Sequence, residues 1–325
     1  MGRVCLGHDA RDARNGATTK GSILHTVTLE TAPSVARLFA KAPLAARHRS
    51  VDVPDTQLVL ADVAVDRDHL ARYNRVCGFT LRDTLPPTFV HVLAFPLQMA
   101  LMVEHPFPLS LAKLVHVRNH ITQRRPVAAG ECLVLTVRAE NLRAHPKGAA
   151  VDLVADATAD GEAVWHGVST YLQRGSPPSG ASTAAAATEG GDGASEPAPA
   201  GGNDESEVPD DPAAVWRVPR DIGRRYAAVS GDYNPIHLNP LAAKLAGFPR
   251  TIAHGMWTKS RALSAIESRL PDACTVDVSF DKPIVLPVTI GFHTRARDDV
   301  RAVAVRDLVR GRSHLRGQVR RLATR

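Results

Sequence analysis

Residues 226–258 hold the densest set of groups in this chain that can move protons. Asp232 and His237 stand five positions apart, separated by Tyr-Asn-Pro-Ile. Pro235 forces Asn234 out of helical geometry, so the connection is a turn of fixed shape that can aim both side chains into one pocket. A carboxylate beside an imidazole is the pairing needed to hold a water molecule and shuttle its protons near neutral pH. Gly255 opens a helical pattern further along. Without a side chain there, a ligand oxygen can approach the unpaired N–H groups of a helix start, where the dipole favours developing negative charge. Asn234, His254 and Met256 flank these groups and are candidates for contacting a substrate, although packing or capping is the more ordinary role for His254. Asp232, His237 and His254 also form a two-histidine, one-carboxylate set. No further ligand is spaced to complete a metal site, so no metal is expected.

The elements that must position this turn occur twice. VDRDHLARYNRVCG from Val65 and VPRDIGRRYAAVSG from Val218 share seven of fourteen positions at a constant offset of 153. Thr88-Phe-Val-His91 parallels Thr251-Ile-Ala-His254, and Arg125-Pro126-Val127 parallels Lys282-Pro283-Ile284. Same order and similar spacing mark a tandem duplication. Each copy reads as a short helix ending near the shared Gly, a loop, a longer helix, then several strands. Asp221 is the expected N-cap of the short helix in copy two. Met256, Leu263, Ile266 and Leu270 form one apolar stripe on the longer helix, which Pro271 should stop. In copy one, Pro96 is expected in the first turn of the long helix. A helix followed by four or five antiparallel strands predicts a curved sheet wrapped around it, an α+β fold.

The chain has 325 residues, 44% of them apolar, enough for two domains with real cores. Residues 175–212 are rich in Gly, Ser, Ala, Pro and acids, and read as a flexible linker. Four regions follow: a disordered N-terminus at 1–20, a first domain at 21–174, the linker at 175–212, and a second domain at 213–325. The linker carries eight acidic residues and no Lys or Arg, so the rest of the chain stands at +15 against +7 overall. Such a body can steer phosphorylated ligands or an acidic protein toward itself. Nucleic-acid binding is not expected, because no zinc-finger or RNP-like motif is present and aromatics are only 5%. No run of about 18 apolar residues argues for a membrane span. The polar N-terminus lacks a signal-peptide core. Four scattered cysteines without a CxxC pair speak against a disulfide framework and for a reducing cytoplasm.

The string SGDYNPIHLNP, followed by AHGM, resembles the signature of the MaoC-like (R)-specific enoyl-CoA hydratases. The resemblance covers Gly231, Asp232, Asn234, Pro235, His237 and Gly255. It implies a hot-dog fold, here in tandem as a double hot dog: a long helix wrapped by antiparallel sheet in each half. It implies reversible syn addition of water to a trans-2-enoyl thioester, giving the (R)-3-hydroxyacyl product. Asp232 and His237 would handle the water, and the Gly255 N–H would polarise the thioester carbonyl. No cofactor is implied, only coenzyme A or acyl carrier protein as the carrier of the substrate. A monomer or homodimer would suffice.

Copy one has Gly78-Phe79 where copy two has Gly231-Asp232, lacks most of the NPIHLNPLAAKLAGF segment, and puts Val92 at the Gly255 position. One active site per chain is therefore expected, with the degenerate half free to widen the acyl pocket. Two other functions compete: a non-catalytic acyl-thioester binding subunit, and a hot-dog thioesterase with its acid on the long helix. The only acid there is Glu267, which lies late.

Overall fold

The computed structural model describes residues 24–45, 50–175 and 208–323. The N-terminal stretch 1–20 and most of the 175–212 linker lie outside the described residues. The end of the linker does not behave as one: Val208 is buried against Ala302 and Ala304, and the Pro209 carbonyl accepts from the His293 ring.

The first half contains β1 (His25–Leu29), α1 (Val35–Ala45), β2 (Thr56–Ala64), α2 (Arg67–Cys77), α3 (Pro87–Glu104), β3 (Leu114–Gln123), β4 (Cys132–His145), β5 (Gly148–Ala159) and β6 (Glu162–Arg174). The second contains β7 (Ala214–Val218), α4 (Ile222–Ser230), α5 (Pro240–Leu245), α6 (Gly255–Ser264), β8 (Cys274–Phe280), β9 (Val288–Arg297), β10 (Val300–Asp307) and β11 (Ser313–Arg321). Their strands form one sheet in the order β1-β2-β4-β5-β6-β3-β8-β11-β10-β9-β7. Outward from the β3/β8 seam, β3-β6-β5-β4-β2 of the first half matches β8-β11-β10-β9-β7 of the second, and β1 is an added edge strand parallel to β2. This is the double hot dog, and the two copies differ by rotation rather than by plan.

The duplicated motif has a common physical basis. Gly78 ends α2 at φ 87° and Gly231 ends α4 at φ 76°, both left-handed conformations that a glycine adopts without Cβ penalty. The shared tyrosines, Tyr73 and Tyr226, meet where α2 packs on α4, with ring centroids 6.3 Å apart. Both are buried, which is why the motif survives in both copies.

Several local expectations change. Asp221 occupies the N-cap position of α4 without a side-chain cap bond; in α2 the capping carboxylate is Asp66. Pro87, not Pro96, occupies the first turn of α3, and Pro96 lies inside the helix. Helix α6 stops at Ser264, before Pro271; a 3-10 turn at Glu267–Arg269 follows, and Leu270 is only partly buried. By length and composition α3 could cross a membrane, contrary to expectation, but 83% of its apolar window is buried within the protein. Among the described cysteines, Cys77 and Cys274 are free and buried.

At the seam, β3 and β8 pair antiparallel from Arg118↔Ser279 to Gln123↔Cys274. Beneath it lies Lys259 of α6, completely buried. Its Nζ donates to Asn119 Oδ1 (2.5 Å), the Asn119 carbonyl (3.1 Å) and the Val276 carbonyl (3.1 Å). One side chain thus ties the helix of one half to strands of both. Burial pushes its pKa down to about 7. Lys259→Ala would leave three acceptors without a donor in a dry site. It should lower unfolding stability by about 3 kcal/mol in urea titration, with both halves still melting together.

Candidate active site

The site is assembled where α4 ends. Gly231 reverses the chain, and Asp232 emerges with its N–H donating to Ser230 Oγ (3.2 Å) and its Oδ1 accepting from the Asn234 N–H (3.1 Å). Asn234 caps the next turn, its side-chain oxygen facing the Ile236 N–H at 3.4 Å. Pro235 then starts a 3-10 turn ending at His237. The turn that the sequence marks with Asn-Pro thus has its own set of local hydrogen bonds.

His237 is buried, and its Nδ1 lies 2.8 Å from the Ile252 carbonyl. A carbonyl only accepts, so Nδ1 carries the proton and Nε2 keeps its lone pair. His254 stacks on this ring at 3.6 Å and donates from Nε2 to the Asp232 carbonyl at 3.0 Å; the same nitrogen is 3.7 Å from Asp232 Oδ2. His254 therefore acts as a positioning group that holds both Asp232 and the His237 ring. Burial lowers the pKa of His237; the Asp232 charge and the Ile252 carbonyl oppose the shift. Burial, then repulsion from His237, holds His254 well below the usual histidine range.

Helix α6 begins at Gly255, after His254 as a cap residue whose side chain makes no capping bond. The first amide closing onto the turn is Thr258 N–H, bonded to the His254 carbonyl at 3.2 Å. The N–H groups ahead of it are unpaired helix-start donors. A Cβ on Gly255 would come within 3.1 Å of the Phe280 ring, so any side chain here would have to push that ring back by a few tenths of an ångström.

Asp232, Asn234, His237, His254, Gly255 and Met256 all line one cavity of about 1380 Å³. The set named from sequence is therefore brought together. The Asp232, His237 and His254 ligand atoms also lie within 4.8 Å of one another, close enough for a metal ion. His237 Nδ1 and His254 Nε2 are engaged with carbonyls, so a metal would have to use the other two ring nitrogens. Exposed Lys147, Arg174, Arg250, Lys282, Arg310 and Arg312 stand around the cavity and make its surroundings cationic. Glu267 is elsewhere: it accepts from the Thr80 N–H and hydroxyl, outside the cavity lining.

Residues 205–314 match the family described as MaoC like domain. The 3-hydroxyacyl-thioester dehydratase X of Mycobacterium tuberculosis is 38% identical over 275 residues, which is 84% of this chain and 92% of that protein. The chain belongs to the MaoC-like dehydratases. The crystal structure of HtdX from the same organism has a TM-score of 0.69 at 36% identity, covering 82% of this chain and all of the other. The (R)-specific enoyl-CoA hydratase of Aeromonas caviae is 33% identical over 78 residues, 24% of this chain and 58% of that enzyme.

For a MaoC-like dehydratase, one half here has lost the equipment. In copy one α3 starts at Pro87, so Val92 is already inside the helix and its amide has an intrahelical acceptor. Phe79, at the Asp232 position, is buried with its ring stacked on Tyr73 at 6.4 Å.

Some site residues escape a reading of the turn alone. Gly223 lies inside α4, and a Cβ there would fall 2.2 Å from the His237 carbonyl. The isolated glycine in a helical pattern was the available signal. Phe280, and His91, His116 and Tyr171 from the first half, also line the cavity. Only His91 had a trace in sequence, as the counterpart of His254.

Gly223→Ala must displace the His237 turn. It should reduce turnover by about 10²-fold while leaving the far-UV circular dichroism of the fold intact. A pH effect follows from the buried imidazoles. Burial, then the Lys259 charge, pushes His91 from its ordinary 6.5 down to about 4, and His237, His254 and His116 also shift down. Below 6.5 the unfolded chain takes up protons that the folded chain refuses. The contribution of these histidines to stability should be full above pH 6.5 and be lost as pH drops toward 4, seen as a falling urea midpoint over that range.

Proposed function

We propose that this protein catalyses the reversible hydration of trans-2-enoyl thioesters to (R)-3-hydroxyacyl thioesters in fatty-acid or related acyl metabolism. The observation that carries this reading is the convergence of Asp232, a neutral His237 with Nε2 unbonded, and the Gly255 helix start on one cavity. A water held between the carboxylate and Nε2 adds its oxygen to C3. One proton of that water passes to the pair, and the pair returns one proton to C2. Both additions come from the side of the substrate that faces these two residues, which gives syn stereochemistry. As the water oxygen adds to C3, or in the reverse direction as C2 is deprotonated, the thioester oxygen gains negative charge, and the Gly255 N–H meets it with no reorganisation.

The reaction is redox-neutral and needs no cofactor, only a thioester on coenzyme A or acyl carrier protein. Cations around the cavity favour either phosphorylated carrier by steering. The thioesterase alternative loses its acid, because Glu267 is held by Thr80.

Crotonyl-CoA or a longer enoyl-CoA should lose its conjugated thioester absorbance without releasing free thiol. Thiol release would mean hydrolysis, and no change would mean a binding subunit. Asp232→Asn and His237→Gln should each lower kcat by about 10²–10⁴-fold. Near-normal turnover in either variant would show that the proton transfers are done elsewhere.

A further inference from the structure

The first half supplies one wall of the cavity, and that wall is polar where a surface for an alkyl chain is ordinarily apolar. His91 comes from α3, His116 from β3 and Tyr171 from β6. Their rings are in series: His91 to His116 at 6.2 Å, His116 to Tyr171 at 4.6 Å. His116 also meets Phe280 edge-on at 5.0 Å, and Phe280 is the ring that covers Gly255. The wall thus starts one ring away from the helix start that receives the thioester carbonyl. Burial, then the Asp232 charge, raises the Tyr171 pKa, and the same charge opposes the downward shift of His91.

Two features of the fold put these groups there. The β3/β6 register shifts between His116 and Arg118. This bulge breaks strict alternation, so His116 and Asn119 both turn inward, three positions apart. His91 is the duplicate of His254. In the second half that histidine is bonded to the Asp232 carbonyl; in the first, Phe79 stands at the Asp232 position with its ring on Tyr73, and His91 lines the cavity.

The mechanism uses none of the three. His116 Nε2 is buried with no partner among the described residues. Burying such groups against an alkyl chain leaves them unpaired, which is costly; a chain that brings its own oxygen pairs them.

We propose that His91, His116 and Tyr171 form a subsite selecting acyl thioesters that carry a keto or hydroxyl oxygen on the chain beyond the reacting carbons. The proposal rests on the hydratase reading above. Neutral imidazoles and a phenol can donate to a ketone and can also accept from a hydroxyl. They offer no fixed positive charge, so the oxygen selected is uncharged.

The test compares enoyl-CoA pairs of equal length in which one chain methylene is replaced by a carbonyl or bears a hydroxyl, moved stepwise outward from C4. The wild-type protein should favour the oxygenated member by about tenfold in kcat/KM at one position. Tyr171→Phe and His116→Leu should bring that ratio close to one, chiefly by raising KM for the oxygenated substrate. Thermal melting of each variant checks that it is folded, and Tyr171→Phe keeps the ring in place. A wild-type ratio of one or below at every position, with crotonyl-CoA still hydrated, overturns the subsite alone. An unchanged ratio in both folded variants overturns it too. Failure to hydrate any thioester overturns the hydratase reading along with it.

Discussion

The pairing of β3 with β8 is the constraint on which the rest depends. It turns two similar halves into one sheet and sets the cavity between them. Without it, Asp232 and His237 would face solvent on one side, and His91, His116 and Tyr171 would have nothing to line. The seam is held from below by Lys259, whose ammonium satisfies carbonyls of β3 and β8 at once. An ammonium in a dry core is an expensive device, tolerated here because every acceptor around it needs a donor. Its cost is visible in the depressed pKa.

Duplication followed by divergence explains the distribution of chemistry. The two copies keep what the α2–α4 contact requires: the paired tyrosines and the left-handed glycines. They differ in where the long helix starts. In the second half it starts at Gly255 and leaves its first amides free. In the first it reaches back to Pro87 and closes the same amides internally. One turn of helix separates a start with free amide donors from one whose amides are closed internally.

Within the working half, neutrality is imposed by burial. His237 and His254 stack at 3.6 Å, a distance at which two imidazolium ions would repel strongly. Backbone carbonyls take one nitrogen of each ring, which fixes their tautomers and their aim. The two imidazoles are thus oriented by main chain that belongs to the fold, and not by side chains that could be exchanged independently.

Much of this was legible in the sequence. Asp232, His237 and Gly255 are local to one turn and one helix start, and Pro235 restricts that turn whatever surrounds it. The duplication was readable because the contact between α2 and α4 preserves side chains at fixed spacing. What stayed hidden was long-range or broke a local rule. Gly223 matters only because the His237 carbonyl packs on it from fourteen residues away. His116 faces inward because of a bulge, which no alternation pattern announces. Lys259 reads as a surface residue until the sheet closes over it. The types and spacing of Asp232 and His237 were legible from sequence because residue type and turn geometry are local properties. The shape of the cavity around them was decided only by strand pairing across the two halves, because which residues face it depends on register.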